Sequence, residues 1–269
     1  MTTYTLQSDL QLARQLADMA DVISMDRFRA ADLDVSMKPD MTHVTDADKA
    51  VEAAIRGALH DSRPDDSVLG EEAGEEAGSD GSHRQWIVDP IDGTANYVRG
   101  VPVWASLISL AIDGVPAVGV VSAPALGKRW WGATGLGAFV DESLGSPTTT
   151  SERRIHVSRV ADIADASMSC SGLIRWEQAG KLKEFLSLAR RVWRTRDYGD
   201  MWPYMMVAEG LVDIAGEFDL KPWDMAALVP IVQEAGGRFS SVAGEPGPWH
   251  GSAIATNGLL HDAVLDAVR

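Results

Sequence analysis

The sequence is poor in cysteine and in basic residues, and it contains no long apolar run. Its single cysteine, Cys170, excludes a disulfide within the chain and is typical of a protein in the reducing cytoplasm. No stretch approaches the roughly 20 apolar residues that cross a bilayer. The first residues, MTTYTLQSDL, lack the basic start and the apolar segment of a secretory signal. We therefore expect a cytoplasmic protein without a membrane partner.

Acidic residues outnumber lysine and arginine, 39 against 24, which gives a formal net charge of −15. Nucleic acids and anionic membranes are bound through basic faces, so this balance argues against both as partners. Acidic charge is compatible with cation binding, although many acidic proteins only carry solvated carboxylates. With 269 residues, 45% of them hydrophobic, the chain can form one large or two modest domains around a substantial core.

Helical periodicity dominates the start of the chain. It predicts a helix over residues 8–28 with a capping box from Ser8 to Gln11, and a second helix over 46–60 with Thr45 as its N-cap. Residues 72–83 are rich in Gly, Glu and Ser, which indicates a mobile surface loop.

The pattern then changes to β from residue 86 to about 140 and to alternating β and α after that. The first half is therefore predicted to be α+β and the second half α/β. Residues 141–153 are the candidate linker, so we expect two subdomains, 1–150 and 151–269. In the second half we expect helices near 176–190, 201–209, 223–234 and 258–268, and strands near 166–170, 192–196, 211–217, 238–242 and 252–256.

The stretch WIVDPIDGTANY, residues 86–97, places two aspartates at the end of an apolar run. Asp89 follows a predicted short strand, and a turn brings Asp92 back beside it. Two buried like charges repel each other and are costly unless a cation lies between them. The stretch is either an ordinary polar turn or a site for a cation such as Mg²⁺. Gly93 allows close backbone approach, and Thr94 can begin a short helix whose free N–H groups suit a phosphate.

Three other regions contribute candidate carboxylates. Glu71 and Glu72 follow the apolar run 67–70, Asp224 stands where a helix should begin, and Asp48 lies in the first turn of the predicted second helix. Each has an alternative interpretation as loop charge, as a helix N-terminal residue or as a capping partner. The candidates span most of the chain, so only a fold can bring them together.

Taken together, these motifs resemble the inositol monophosphatase-like family of Mg²⁺-dependent, Li⁺-sensitive phosphatases. The resemblance covers nearly the whole chain, in order and with suitable spacing. The rest of the sequence is most similar to the actinobacterial histidinol-phosphate phosphatase branch of that family. The family motifs are GEE at 70–72, WIVDPIDGTANY at 86–97, WDMAA at 223–227 and EAGG at 234–237, and the branch motifs are RGVPVWASLI at 99–108, GVVSAPAL at 119–126, RWWGA at 129–133 and RDYGD at 196–200.

The resemblance implies a layered α/β/α/β/α sandwich, a homodimer and two or three Mg²⁺ ions. Glu71, Asp89 and the backbone carbonyl of Ile91 would hold the first ion, and Asp89, Asp92 and Asp224 the second. A third, weaker ion would touch Glu71 and waters, which places Glu71 among the catalytic residues. The implied substrate is a small phosphate monoester.

The same resemblance implies the catalytic roles. Thr94, with Asp48 as its partner, would orient the attacking water, and the N–H groups of Gly93 and Thr94 would bind the phosphate. Hydrolysis would then proceed by in-line attack of metal-activated water without a phosphoenzyme. No histidine or cysteine nucleophile is needed, and all six histidines lie outside the motifs.

The leaving group is the point on which members of the family differ. Histidinol carries an ammonium and a titratable imidazole, whereas inositol is neutral. Asp200 stands where inositol-type members have small residues, and Glu217 matches a position on the leaving-group side. We assign both to the leaving group, although Asp200 could instead cap the helix that follows. Asn257 is a weaker candidate.

The main hypothesis is therefore hydrolysis of L-histidinol phosphate, in histidine biosynthesis. Inositol 1-phosphate or another small phosphate ester is the alternative with the same chemistry. A haloacid-dehalogenase-type phosphatase is excluded because its D-x-D-G-T carboxylates are two residues apart, whereas Asp89 and Asp92 are three apart. The alternative of another class is a non-enzymatic cation-binding regulatory module.

Overall fold

Sheets and helices alternate through residues 4–39, 41–79, 81–144 and 151–269, which the computed structural model describes. The strands are β1 Val35–Met37, β2 His43–Thr45, β3 Ser67–Gly70, β4 Gly74–Glu76, β5 Arg84–Asp92, β6 Ala105–Ile112, β7 Val115–Ala123, β8 Lys128–Ala133, β9 Gly137–Asp141, β10 Glu152–Arg154, β11 Ser167–Cys170, β12 Arg194–Thr195, β13 Ile214–Phe218, β14 Arg238–Ser240 and β15 Ser252–Thr256. The helices are α1 Leu6–Arg27, α2 Asp46–Ser62, α3 Thr94–Val98, α4 Leu173–Gln178, α5 Leu182–Ala189, α6 Trp202–Ala208, α7 Pro222–Met225, α8 Leu228–Glu234 and α9 His261–Val268.

The strands form two main sheets and a separate hairpin of β1 and β2. The larger sheet has the order β10-β9-β8-β7-β6-β5-β3-β4 and is antiparallel except for the parallel pair of β3 and β5. The smaller sheet has the order β12-β11-β13-β15-β14, with β11 parallel to both of its neighbours. Each sheet is therefore a mixed one.

Side-chain alternation along the strands shows how the layers stack. On β6, Leu107 packs into the core between the two sheets, whereas Ile108 packs against α1 and α2. On β13, Ala215 packs into the core between the sheets, and Ile214 packs against the side of α4, α5 and α9. Because successive residues of a strand face opposite sides, the layers run helices, sheet, α6 with α8, sheet, helices. The predicted α/β/α/β/α sandwich is confirmed.

Two glycines allow α8 to lie directly on the larger sheet. A Cβ atom at Gly119 of β7 would stand 2.1 Å from the carbonyl oxygen of Ala227, and one at Gly132 of β8 would stand 3.0 Å from the Cα of Ile231. Any side chain at Gly119 would push the central helix layer away from the sheet. The position of α8 matters because α7, which carries Asp224, leads directly into it.

The structure differs in detail from several of the local predictions. Thr45 is the N-cap of α2 as predicted, whereas the capping box of α1 is formed by Thr5 and Ser8, not by Ser8 and Gln11. The predicted surface loop at 72–83 contains β4, which pairs with β3. The helix expected near 176–190 is two helices, because the chain turns at Gly180 with a positive φ.

The candidate linker, 141–153, joins two neighbouring strands of one sheet. Its first residue ends β9, and β10 returns to pair with β9. Residues 145–150, which belong to the predicted linker, lie outside the described residues. The division into 1–150 and 151–269 stays a prediction. Within the described ranges, no helix has both the length and the apolar character that a membrane span requires.

Candidate metal centre

A bulge in β5 places Asp89 and Asp92 on the same side of the larger sheet. Asp89 pairs with Leu107 of β6 and Asp92 pairs with Ala105, so three steps on β5 match two steps on β6. In a regular strand, residues three apart would face opposite sides, and the extra residue of the bulge restores the common side. The sequence predicted a turn after a strand ending at residue 88, whereas β5 continues to Asp92.

Asp224 approaches this pair from the second half of the chain. Carboxylate oxygens of Asp89, Asp92 and Asp224 all lie within 4.8 Å of one another. Asp224 stands in the first turn of α7, where its Oδ2 accepts a hydrogen bond from Lys221 N at 2.7 Å. Asp92 Oδ2 accepts one from Met201 N at 2.7 Å. Asp89 Oδ1 accepts one from Ile91 N at 3.0 Å, so backbone donors hold all three carboxylates in place.

The cluster is electrostatically unfavourable without a cation. Burial, followed by the charge of Glu71, raises the pKa of Asp89 well above its ordinary value. Burial and then the charges of Asp200 and Asp224 do the same for Asp92. Burial is also the largest cause that raises the pKa of Asp224 to about 7. Carboxylates that are crowded and desolvated in this way are typical of functional sites.

Glu71 lies at the edge of the cluster and contacts an ammonium group. It follows β3, and its Oε1 accepts a hydrogen bond from Lys38 Nζ at 2.8 Å. The same ammonium lies 2.6 Å from Glu72 Oε1. Lys38 comes from the connection between β1 and β2, and its side chain also lines the cavity. A cation is thus already accommodated beside Glu71.

Thr94 and Asp48 are in direct contact. Thr94 Oγ1 lies 3.2 Å from Asp48 Oδ1 and 3.0 Å from the carbonyl oxygen of Ile91. Asp48 is fully buried, and its other oxygen, Oδ2, accepts hydrogen bonds from Thr45 N and Thr45 Oγ1 at 2.8 and 2.6 Å. The N-terminus of α2 therefore fixes Asp48, and Asp48 in turn fixes the Thr94 hydroxyl.

Asp200 enters the cavity from a strained turn. Its φ of +50° lies in the left-handed region, which a non-glycine residue occupies at a cost. Asn96 Nδ2 donates to Asp200 Oδ2 at 2.6 Å and to the carbonyl oxygen of Val103 at 3.0 Å. The N-cap of α6 is Met201 and no side chain caps it, so the interpretation of Asp200 as a helix cap is wrong.

Glu217, on β13, is the second carboxylate on this side. It makes no hydrogen bond with any described residue, and burial followed by the charges of Asp200 and Asp224 raises its pKa to about 8. The nearby Asp219 is paired with Arg175 at 2.5 Å. Glu217 is therefore the acidic group of this region that lacks a direct partner among the described residues.

Most of these groups line one cavity of about 900 Å³. Asp48 stands behind its wall, in contact with Thr94, and Asn257 lies elsewhere, bonded to Ser158 and Val160. Sequence reasoning missed the contributions of Lys38 and His43, for which no motif gave a signal. Of the predicted site residues, the cavity is lined by Glu71, Asp89, Ile91, Asp92, Gly93, Thr94, Asp200, Glu217 and Asp224.

The donor set fits a hard divalent cation. The clustered atoms are carboxylate oxygens of three aspartates, without sulfur or imidazole nitrogen among them. Oxygen ligands of this kind are the preference of Mg²⁺ and Ca²⁺. The raised pKa of Glu71 and the Lys38 ammonium beside it both indicate that protons or cations are favoured here.

A layered α/β sandwich whose cavity holds a cluster of oxygen donors is compatible with a metal-dependent phosphatase. The chain belongs to the inositol monophosphatase family, whose family model matches residues 5–269. It is 58% identical over 261 residues to the histidinol-phosphatase of Streptomyces coelicolor, covering 96% of this chain and 95% of the relative. It is 56% identical over 257 residues to that of Mycobacterium tuberculosis, covering 96% of each chain.

Solved structures of other proteins have the same fold as this chain. The extragenic suppressor protein SuhB from Bartonella henselae superposes with a TM-score of 0.85 at 27% identity, covering 97% of this chain and 98% of that one. The inositol monophosphatase from Anabaena superposes with a TM-score of 0.79 at 30% identity, covering 97% and 95%.

Proposed function

We propose that the chain is a phosphoric monoester hydrolase that converts L-histidinol phosphate and water to L-histidinol and phosphate with the help of Mg²⁺. One observation carries the choice of substrate. The cavity that contains the cation site also contains two further carboxylates, Asp200 and Glu217. A neutral polyol needs no such charges, whereas histidinol carries an ammonium and a titratable imidazole. The similarity to two proteins named histidinol-phosphatase supports the same choice.

Five residues of this chain would hold two or three Mg²⁺ ions. Bound Mg²⁺ would neutralise charge on the phosphate and lower the pKa of a water molecule. The chain supplies oxygen donors from two strand ends and one helix start, so the cation site forms only in the folded protein. The proposed ligands are Glu71, Asp89, the carbonyl oxygen of Ile91, Asp92 and Asp224.

Thr94 would orient the attacking water. A hydroxyl has one hydrogen, and the Thr94 hydroxyl directs it to Asp48 Oδ1 or to the carbonyl of Ile91. Its oxygen is then left as an acceptor, so a water beside it must donate one hydrogen to Thr94. This arrangement turns a lone pair of the water towards the phosphorus atom, which suits in-line attack.

The phosphate would lie against the backbone of Gly93 and Thr94. Gly93 has a φ of +86°, and a Cβ atom there would stand 3.0 Å from the carbonyl oxygen of Val103 and 3.1 Å from Asp200 Cγ. Glycine therefore keeps this segment close to Asp200 without a clash. A phosphate bound here would place its ester oxygen within the cavity that Asp200 and Glu217 line.

Asp200 and Glu217 would bind the leaving group. Asp200 is held by Asn96, and Glu217 has no partner among the described residues, so both can accept hydrogen bonds from a cationic substrate. Their contacts would favour histidinol over a neutral alcohol, because a site built for a charged group penalises an analogue that lacks it.

We also propose a cytoplasmic homodimer that acts in histidine biosynthesis. The dimer and the pathway follow from the resemblance to the family branch, and the compartment is the one in which a chain with a single cysteine is typically found. Light scattering after gel filtration tests the dimer. A monomer at micromolar concentration would contradict it.

Phosphate release tests the proposed function directly. Metal-free protein should be inactive, and Mg²⁺ should restore turnover of histidinol phosphate with a higher kcat/KM than that of inositol 1-phosphate. A higher kcat/KM for the inositol ester would favour the alternative that the family name suggests. No turnover on any phosphate ester would favour the non-enzymatic cation-binding module.

Substrate choice is tested by Asp200→Asn and Glu217→Gln. Each should lower kcat/KM for histidinol phosphate about 10- to 100-fold and have little effect on inositol 1-phosphate. The matched control is Asp219→Asn, which removes a carboxylate of the same cavity that is already paired with Arg175. Equal losses on both esters would remove the proposed role of Asp200 and Glu217 in recognising the leaving group.

A further inference from the structure

Helix α2 sends two buried carboxylates towards the cation site, one turn apart. Asp48 contacts Thr94, and Glu52 lies four residues later on the same face of the helix. Glu52 is only 2% exposed. Its Oε2 accepts a hydrogen bond from Glu72 N at 2.8 Å, and its Oε1 accepts one from Ala73 N at 3.0 Å. Glu52 therefore binds the backbone directly after Glu71.

The contact between Glu52 and this turn is tight. A Cβ atom at Gly70 would stand 2.3 Å from Glu52 Oε1 and 2.5 Å from Glu52 Cδ. Only glycine allows the end of β3 to lie directly against the carboxylate. The position of Glu52 thus explains Gly70, the first residue of the GEE motif.

Arg56 completes the arrangement from the next turn of α2. Its Nε lies 2.8 Å from Glu52 Oε1, and its Nη2 donates to the carbonyl oxygen of Gly74. The guanidinium compensates the buried charge of Glu52 and also binds the far end of the turn. The segment from Gly70 to Gly74 is therefore fixed at both ends by one face of α2.

We propose that Glu52 is a positioning residue that holds Glu71 in place to bind the divalent cation. Glu71 and Glu72 are adjacent like charges, and the charges of both Asp48 and Glu52 oppose that of Glu72. Without a clamp, repulsion from the aspartates would favour movement of the turn away from the cavity. Groups that orient a metal ligand typically contribute a factor of about 10 to 100 in metal affinity. The inference rests on the proposed cation site, not on the identity of the phosphate ester.

Glu52→Gln is the direct test. A carboxamide has one oxygen acceptor and an NH₂ donor, so it cannot accept from both Glu72 N and Ala73 N in the way the carboxylate does. The affinity of the metal-free protein for Mn²⁺, measured by electron paramagnetic resonance or calorimetry, should fall about 10- to 100-fold. The Mg²⁺ concentration for half-maximal activity should rise by a similar factor, while kcat at saturating Mg²⁺ falls less.

Glu234→Gln is the matched control. Glu234 also holds a turn through two backbone donors, Gly135 N at 2.9 Å and Gly137 N at 2.8 Å, but it does not line the cavity. This variant should lose stability without losing Mn²⁺ affinity. If Glu52→Gln does not fold, Glu52→Asp, which keeps the charge on a shorter side chain, should fold and bind Mn²⁺ more weakly than the parent.

Two outcomes would overturn the inference, and a third would overturn the cation site on which it rests. Parental Mn²⁺ affinity in folded Glu52→Gln or Glu52→Asp would show that the clamp does not act on Glu71. An equal loss of affinity in Glu234→Gln would show that the effect is general destabilisation. Failure of the parent protein to bind Mn²⁺ would overturn the proposed cation site itself, which distinguishes that failure from the first two.

Discussion

Replacing Asp92 with asparagine should stabilise the metal-free protein and abolish its metal-dependent activity. Asp92 is one of three aspartates whose carboxylate oxygens lie within 4.8 Å of one another. Asparagine removes the charge but keeps an oxygen that can accept the hydrogen bond from Met201 N. The substitution therefore isolates the cost of the charge from the cost of a lost contact.

The magnitude follows from the distances and from the pKa shifts. Two unit charges 4.8 Å apart repel by about 3.5 kcal/mol at an effective dielectric constant of about 20. The folded protein reduces this cost by holding protons, because burial and the neighbouring charges raise the pKa of Asp224 to about 7 and those of Asp89 and Asp92 well above their ordinary values. We expect a net gain of about 2–4 kcal/mol at about pH 8 from removing one charge.

The sign of the pH dependence follows from linkage. A carboxylate whose pKa is raised on folding binds more protons in the native state, so stability falls as pH rises from the unfolded pKa to the folded one. For Asp224 that window runs from 3.8 to about 7. The metal-free parent should therefore lose stability between about pH 4 and pH 7, and Asp92→Asn should flatten this slope. At about pH 5 the two proteins should differ little.

The assay is thermal unfolding in chelator across that pH range, with and without Mg²⁺. For a chain of this length, about 2–4 kcal/mol corresponds to a rise in Tm of about 4–8 °C. Mg²⁺ should raise the Tm of the parent at about pH 8 by mass action and raise that of the variant much less. Phosphate release should fall at least about 100-fold, because the variant loses a proposed ligand.

Asp213→Asn is the control for burial alone. Asp213 is 6% exposed, and its two oxygens accept from Ser158 Oγ at 2.5 Å and from Ser167 N at 2.7 Å. Because this carboxylate has its own donors, the substitution should destabilise by about 1–3 kcal/mol. The reasoning about the cluster would be refuted if Asp92→Asn also lowered the Tm of the metal-free protein at about pH 8.

Three further predictions concern residues around the centre. Lys38→Gln removes the ammonium that pairs with Glu71, so Mn²⁺ should bind several-fold more tightly; weaker binding would contradict competition between Lys38 and the cation. Asn96→Ala releases Asp200 and should raise KM for histidinol phosphate about tenfold with little change in kcat, and an unchanged KM would contradict this. Burial raises the pKa of the Cys170 thiol, so a disulfide reagent should label it at least about tenfold more slowly than in unfolded chain; comparable labelling rates would contradict this.

The carboxylate cluster was largely predictable because its residues lie in specific motifs, but its geometry was not. The sequence predicted that Asp89 and Asp92 come together through a turn, whereas β5 continues and a bulge turns both side chains to one side. Spacing alone cannot distinguish the two, because the bulge depends on pairing with β6, a contact that no local pattern encodes. The three aspartates expected to share one ion do lie within 4.8 Å of one another, and their role as its ligands stays a prediction.

The supporting residues were harder to find. Lys38, Asn96 and Glu52 act through side chains that reach across the fold, and their contacts span from 20 to 104 positions of sequence. A glutamate within a helix such as α2 is ordinarily a solvated residue, so nothing in the local pattern separates Glu52 from its exposed neighbours. The layered fold was predictable from the resemblance, whereas these contacts depend on the packing that the fold creates.

The core between the two sheets joins the parts of the cation site. Asp89 and Asp92 belong to the larger sheet, and Asp224 belongs to α7, which contacts β5 and leads into α8. Helix α8 packs closely on β7 and β8 at two glycines and also contacts β14 of the smaller sheet. A shift of α8 by one methyl radius would therefore move Asp224 relative to the aspartate pair. Because close-packed interiors deform little, the same core that stabilises the sandwich fixes the three carboxylates at a spacing that is favourable only when protons or cations offset their charge.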